Sequence, residues 1–156
     1  MLGDNKMKKY KKLIIFILIP LVVGFIGNLL GGSTDIYDKI NTPPFAPPAF
    51  LFPIVWSILY ILMGVSSYMI SKEKNSQGAL TIYFVQLGIN ALWSLLFFRL
   101  NWFLFSSLWL VLLLCLIIYM IYEFAKLNKT AAYLQIPYSL WVLFALILNS
   151  SIYILN

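Results

Sequence analysis

The sequence contains no histidine and a single cysteine. Histidine is the commonest metal ligand in proteins, the usual axial ligand of haem iron and the commonest general base. The chain also lacks paired carboxylates, a phosphate-binding glycine-rich loop and any cluster with metal-ligand spacing. We therefore predict no metal site and no required cofactor. The residues needed for hydrolysis or phosphoryl transfer are absent as well.

Charged residues are also scarce, at 10% of the 156 residues, whereas 62% are hydrophobic. A soluble domain carries about 25% charged residues, so this composition is typical of a membrane protein. Five apolar runs reach the roughly 20 residues that cross a bilayer as a helix. They occupy about residues 13–32, 49–70, 78–98, 102–122 and 131–155. None of them alternates as the strands of a membrane barrel do.

The longest connection, residues 33–48, lies between the first two runs. Its second half is the start of a proline-rich stretch, NTPPFAPPAFLFPIVW, which spans residues 41–56 and continues into the second run. Proline fixes φ and has no N–H, so this stretch begins as stiff, non-helical chain. The sequence thus predicts an all-α membrane protein. We expect one domain over residues 1–156, a five-helix bundle with a long proline-rich loop between helices 1 and 2.

The cations cluster in the segments that we assign to one side of the membrane. These segments carry Lys6, Lys8, Lys9, Lys11 and Lys12, then Lys72 and Lys74, then Lys126 and Lys129, against only Lys39 and Arg99 on the other side. The positive-inside rule then places the N-terminus in the cytoplasm and the C-terminus outside, in what we expect to be a bacterial cell membrane. The basic charge is explained by topology, so we expect membrane lipid and no nucleic acid as a partner.

Three of the runs each carry a helical stripe of aromatic and neutral polar residues. The stripes are Trp56, Tyr60, Met63 and Ser67; Gln86, Asn90, Trp93, Ser94 and Phe97; and Tyr138, Trp141, Ala145 and Asn149. Such residues also join helices or anchor them at the interface. However, several of these tryptophans lie too deep for anchoring. The stripes therefore predict a pocket for a large, flat, mostly apolar ligand, with the proline-rich loop as its lid.

The blocks YDKINTPPFAPPAFLFPIVWSILYILMG (37–64), QLGINALWSLLFF (86–98) and IPYSLWVLFALILNSSIYILN (136–156) resemble the TspO/translocator protein family, the tryptophan-rich sensory proteins and peripheral-type benzodiazepine receptors. The resemblance implies an intramembrane pocket for porphyrins under the first loop. Its lining would comprise Tyr37, Trp56, Asn90, Trp93, Trp141, Ala145 and Asn149, to which the stripes add Tyr60 and Tyr138. It also makes Trp56 and Trp141 candidates for light-dependent porphyrin breakdown.

One position departs from the family pattern: Phe45 stands where the first loop usually has tryptophan. A phenyl ring still stacks on a ligand but has no indole N–H. Because histidine is absent, a metal-free porphyrin such as protoporphyrin IX is the expected ligand. Three functions are left open: a porphyrin-binding receptor or transporter, a porphyrin-degrading enzyme, and a dimeric regulator that acts through partner membrane proteins. We expect a homodimer.

Overall fold

The computed structural model describes the backbone of residues 2–156 and the side chains of residues 7–33 and 35–156. Met1 and the side chain of Lys6 therefore lie outside the described residues. The described residues form helices joined by turns and one long loop, and they include no strand. The helices are α1 (Leu2–Gly31), α2 (Leu51–Ile70), α3 (Gln77–Ser94), α4 (Phe103–Leu127), α5 (Lys129–Tyr133) and α6 (Ile136–Leu155).

Five segments are long and apolar enough to cross a membrane: Met7–Gly31, Leu51–Ile70, Gln77–Arg99, Phe103–Leu127 and Lys129–Leu155. The predicted all-α, five-span architecture is thus confirmed. The first helix, however, begins at Leu2 and not near residue 13, because the lysine-rich segment continues the same helix. Lysine is a good helix former, so charge alone does not end a helix. Helix α4 likewise continues to Leu127, beyond the predicted end at residue 122.

The fifth span is broken, whereas the sequence predicted one helix over residues 131–155. Helix α5 ends at Tyr133 and α6 begins at Ile136, with Pro137 in its first turn. A proline in the first turn of a helix sacrifices no hydrogen bond, because the N–H groups there have no partner within the helix. Pro137 therefore starts a new helix instead of kinking a continuous one.

The bundle closes as a ring in which α1 packs against both α2 and α3, and α4 packs against both α3 and α6. Aromatic contacts between α2 and α6 complete the ring, with ring centroids 6.0 Å apart for Phe52 and Trp141. The connection between spans 2 and 3 is short, and a short connection favours antiparallel packing of the two helices that it joins. Instead α2 and α3 contact each other little, and α1 is a main neighbour of both.

Glycines of α1 and α2 allow this close packing. A Cβ added at Gly64 of α2 would collide with the backbone of α1 at Ile17, and one at Gly27 of α1 would lie 3.2 Å from the Cα of Ala91. Gly27 and Gly31 form the GxxxG spacing often seen where helices approach closely. Here this face of α1 packs within the chain, against α3 and the turn that follows it.

The first loop crosses one end of the bundle, which we call the loop end; the opposite end, where Lys72, Lys74 and Lys129 lie, is the lysine end. The loop contains a short 3₁₀ turn, Thr34–Asp38, capped by the Ser33 hydroxyl. The rest of residues 33–48 forms no helix, as the prolines predicted. The Tyr37 hydroxyl donates to the carbonyl of Pro47 at 3.2 Å, which ties the two halves of the loop together.

Candidate ligand cavity

A cavity of about 660 Å³ lies at the loop end, between α1, α2 and α3 and beside the first loop. Its volume falls within the range of small-molecule sites, about 300–1,000 Å³. The lining comes from α1 (Leu21, Gly24, Phe25, Asn28), the loop and the start of α2 (Tyr37, Ala49, Phe50, Phe52, Pro53), the body of α2 (Trp56, Ser57, Tyr60) and α3 with its final turn (Asn90, Trp93, Ser94, Phe98). The cavity is therefore mainly apolar and strongly aromatic.

Flat rings form two of its walls. On α2 the Trp56 indole stacks on the Tyr60 ring, with centroids 5.5 Å apart and planes inclined by 28°. Trp93 of α3 and Phe98 of the π-helical turn that follows it, Leu95–Arg99, form an edge-on pair with ring centroids 5.8 Å apart. Aromatic rings offer large rigid contact areas, and stacked or edge-on pairs hold one another in place. The cavity thus presents preformed flat surfaces to an occupant.

The Tyr60 ring lies directly against α1 at Gly24. A Cβ built on Gly24 would overlap the ring atoms of Tyr60. Glycine at this position therefore leaves the space that the Tyr60 ring fills, and α1 sets the position of one wall of the cavity.

Two polar groups of the cavity, those of Tyr60 and Asn90, begin a hydrogen-bond chain that continues into the bundle. The Tyr60 hydroxyl donates to Oδ1 of Asn90 at 3.1 Å, Nδ2 of Asn90 donates to the Tyr138 hydroxyl at 2.8 Å, and that hydroxyl donates to Oε1 of Gln86 at 2.8 Å. In contrast, the indole N–H of Trp56 and the amide of Asn28 form no hydrogen bond with any described residue. These two groups are available to the polar edge of an occupant.

The lid residue Tyr37 lines the cavity and packs edge-on against Phe52, with ring centroids 5.5 Å apart. Burial raises the pKa of the Tyr37 phenol, because the charged form would lose hydration. The side chain is therefore a neutral hydrogen-bonding group that joins the loop to α2.

The sequence of this chain is also similar to sequences of known proteins. The sequence model of the TspO/MBR family matches residues 16–155. The chain belongs to the TspO/MBR family. It is 36% identical over 152 residues to the tryptophan-rich protein TspO of Archaeoglobus fulgidus, covering 93% of this chain and 97% of that protein. It is 31% identical over 141 residues to the translocator protein of Ovis aries, covering 86% and 83% respectively.

Protein CrtK of Rhodobacter capsulatus is a further relative, 36% identical over 124 residues that cover 77% of this chain and 78% of that protein. The relatives are thus matched over most of their length. Together with the five spans, this family membership identifies the chain as an integral membrane protein.

Of the residues predicted to contact a ligand, five line the cavity: Tyr37, Trp56, Tyr60, Asn90 and Trp93. The predicted residues of α6 do not. Trp141 packs against Phe52 and Phe144, and Tyr138 meets the edge of Trp56 at 6.2 Å, so both lie behind the α2 wall. Of the two candidates for tryptophan chemistry, only Trp56 therefore reaches the cavity.

Ala145 and Asn149 border a smaller space of about 20 Å³. This space adjoins the cavity, because the two share Tyr37, Phe52, Trp93 and Phe98 in their linings. Asn149 is also fully engaged within the bundle. Its Oδ1 accepts from Nε1 of Trp93 at 3.3 Å, and its Nδ2 donates to Oγ of Ser107 at 2.7 Å. Asn149 therefore does not line the larger cavity, but it holds the indole of Trp93, which does.

Phe45 lies outside the cavity as well. It is half exposed on the first loop, and its ring packs against Phe144 at 6.4 Å. The loop position where the family pattern usually has tryptophan therefore contacts α6 and not the α2 wall of the cavity.

The sequence interpretation missed the wall contributed by α1. Leu21, Gly24, Phe25 and Asn28 follow the spacing i, i+3, i+4, i+7, which places them on one helical face. Asn28 is a polar residue in an otherwise apolar run, and this spacing around it was the available signal. Because the face carries no tryptophan or tyrosine, it differs from the aromatic stripes of the other spans.

Proposed function

We propose that this membrane protein is a receptor or transporter for a porphyrin-type tetrapyrrole, of which protoporphyrin IX is the test ligand. The observation that carries the proposal is the cavity of about 660 Å³ with flat aromatic walls, inside the bundle and beside the proline-rich loop. A flat, mostly apolar ring system matches such walls in shape and polarity. The chain has no histidine to ligate haem iron, which favours a metal-free tetrapyrrole.

In the proposed complex the macrocycle stacks against Trp56 and contacts Trp93 across the cavity. The unpaired Trp56 indole N–H and the Asn28 amide meet the polar edge of the ligand. Tyr37 and Phe52, in contact with each other, close the cavity from the loop end. These contacts require the loop to move for entry, and its prolines limit the conformational entropy lost on closing.

The proposal is tested by titrating protoporphyrin IX into the purified protein and following its absorption band. Replacing Trp56 with alanine removes the central stacking surface, so we expect the Kd to rise at least about tenfold, as for the loss of about 1.4 kcal/mol. The control is Trp102→Ala, because Trp102 is a tryptophan at the loop end that is 55% exposed and does not line the cavity. Equal affinities for the two variants would contradict the assignment of the cavity.

We also propose that the lysine end faces the cytoplasm of a bacterial cell and that the cavity lies in the outer half of the membrane. The lysines of the short connections support this orientation, because cytoplasmic loops carry an excess of lysine and arginine. A tetrapyrrole would then reach the cavity from the outer side or from the outer leaflet.

A further inference from the structure

A second group of buried polar side chains lies closer to the lysine end than the cavity does. Tyr83, Gln86 and Gln135 are 1%, 0% and 0% exposed. Nε2 of Gln86 and both amide atoms of Gln135 have no hydrogen-bond partner among the described residues, and the Tyr83 hydroxyl lies beside Ser67. Buried polar groups in native proteins almost always have a partner, so these three unpaired amide atoms require an explanation.

The helix directions bring these atoms to one level of the bundle. Helices α3 and α6 both run from the lysine end to the loop end, and Tyr138 of α6 donates to Gln86 of α3 at 2.8 Å. Tyr83 precedes Gln86 by three residues, and Gln135 precedes Tyr138 by three residues. Since the two helices are parallel, Tyr83 and Gln135 both lie about one helical turn nearer the lysine end than the hydrogen bond between Tyr138 and Gln86.

The chemistry of these groups identifies the kind of ligand. The two amide nitrogens are donors, Oε1 of Gln135 is an acceptor, and the Tyr83 hydroxyl is both. A bound water molecule needs two to four such partners and can both donate and accept. The unpaired groups include no charged side chain, so the set suits neutral water better than an ion. The break between α5 and α6 also falls here, where the backbone hydrogen-bond ladder is interrupted.

We propose that Tyr83, Gln86 and Gln135 form a buried water-binding site in the half of the bundle nearer the lysine end. The site continues the hydrogen-bond chain that begins in the cavity at Tyr60 and passes through Asn90, Tyr138 and Gln86. A polar path then extends from the ligand cavity past the middle of the bundle. This site does not depend on which ligand occupies the cavity.

Radiolytic hydroxyl-radical footprinting of the purified full chain tests the site directly, because radicals formed from bound water oxidise the side chains that touch it. We expect Tyr83 to be oxidised several-fold faster than Phe124, a neighbouring ring that is 0% exposed and lies 6.4 Å away between centroids. Equally slow oxidation of the two rings would overturn the proposal. This comparison of two rings within one protein requires only the wild-type chain and no substitution.

A substitution provides an independent measurement. Gln135→Met keeps the length of the side chain but removes its amide, which would deprive the water of partners. We expect a lower Tm and slower oxidation of Tyr83, whereas the exposed Gln77→Met changes neither. A higher Tm for Gln135→Met would show that the amide was truly unpaired in the native protein and would refute the water site.

Discussion

Asn149 uses both atoms of its side-chain amide within the bundle. Its Oδ1 accepts from the Trp93 indole and lies 3.0 Å from Oγ of Ser106, while its Nδ2 donates to the carbonyl of Phe103 and to Ser107. These bonds join α3, α4 and α6 at the loop end. Interhelical hydrogen bonds in membrane proteins contribute about 0.6–2 kcal/mol each. The residue thus holds a cavity wall in place without lining the cavity.

We therefore expect Asn149→Ala to lower stability by on the order of 1–3 kcal/mol, because it leaves buried groups unpaired. Protoporphyrin affinity should fall less than in Trp56→Ala. The measurements are thermal unfolding in detergent and the porphyrin titration. Ser151→Ala on the same helix is the control, since the Ser151 hydroxyl donates only to the carbonyl of Ile147 on its own helix. A stable Asn149→Ala protein with greatly weakened binding would contradict this assignment and favour direct ligand contact.

The sequence could place Asn149 on the aromatic stripe of its helix but could not show what the stripe faces. Periodicity gives the angular position of a side chain around its own axis. Its neighbours depend on which helices pack against that face. For Trp56 and Tyr60 the stripe faces the cavity, whereas Tyr138 and Trp141 of α6 pack against the side of α2 away from it. Only the arrangement of the helices distinguishes these two cases.

At the scale of the elements, the first loop is attached to the end of α6 by a reciprocal pair of hydrogen bonds. The backbone N–H of Asn41 donates to Oδ1 of Asn156 at 2.9 Å, and Nδ2 of Asn156 donates to the carbonyl of Asn41 at 2.9 Å. The Asn41 side chain adds a bond to the carbonyl of Leu155 at 3.3 Å. The loop is thus held at both of its ends and at its middle.

Asn156→Ala removes both bonds to the Asn41 backbone, so we expect the Asn41 amide to exchange with deuterium about tenfold faster, as for one net hydrogen bond of about 1.4 kcal/mol. Hydrogen exchange read by mass spectrometry on the loop peptide measures this change. Asn41→Ala is the matched comparison, since it removes only the weaker side-chain bond and should accelerate exchange less. If the two variants exchange at the wild-type rate, the contact with α6 does not hold the loop.

The helices themselves were largely predictable, because a long apolar run in lipid has to satisfy its backbone groups by forming a helix. The exceptions have identifiable causes. Lysine does not terminate a helix, so α1 extends beyond its apolar run. Pro137 begins α6, although a proline inside an apolar run is equally compatible with a kink in one continuous helix. The reciprocal hydrogen bonds between Asn41 and Asn156 join residues far apart in the sequence, and no local sequence pattern indicates them.

At the scale of the whole molecule, the order of helices around the ring could not be predicted from loop length. Short connections suggested sequential neighbours, yet α1 packs against both α2 and α3. Gly64 and Gly27 explain this arrangement, because each lets the backbone of α1 come closer to its neighbour than a larger residue would allow. The cavity forms between these three helices, so the same glycines that set the packing also set the position of the cavity.

The orientation proposed for the whole bundle rests on the distribution of its charges and can be tested with single cysteines. On a Cys115→Ser background, Asp38→Cys reports on the first loop and Lys74→Cys on the lysine end; both positions are exposed and lie outside the helices or in a turn. Because lysine-rich connections stay in the cytoplasm, we expect a membrane-impermeant maleimide to label Asp38→Cys in intact cells. Lys74→Cys should be labelled only after permeabilisation. The Cys115→Ser parent shows the background, and the reverse pattern would place the cavity in the inner half of the membrane.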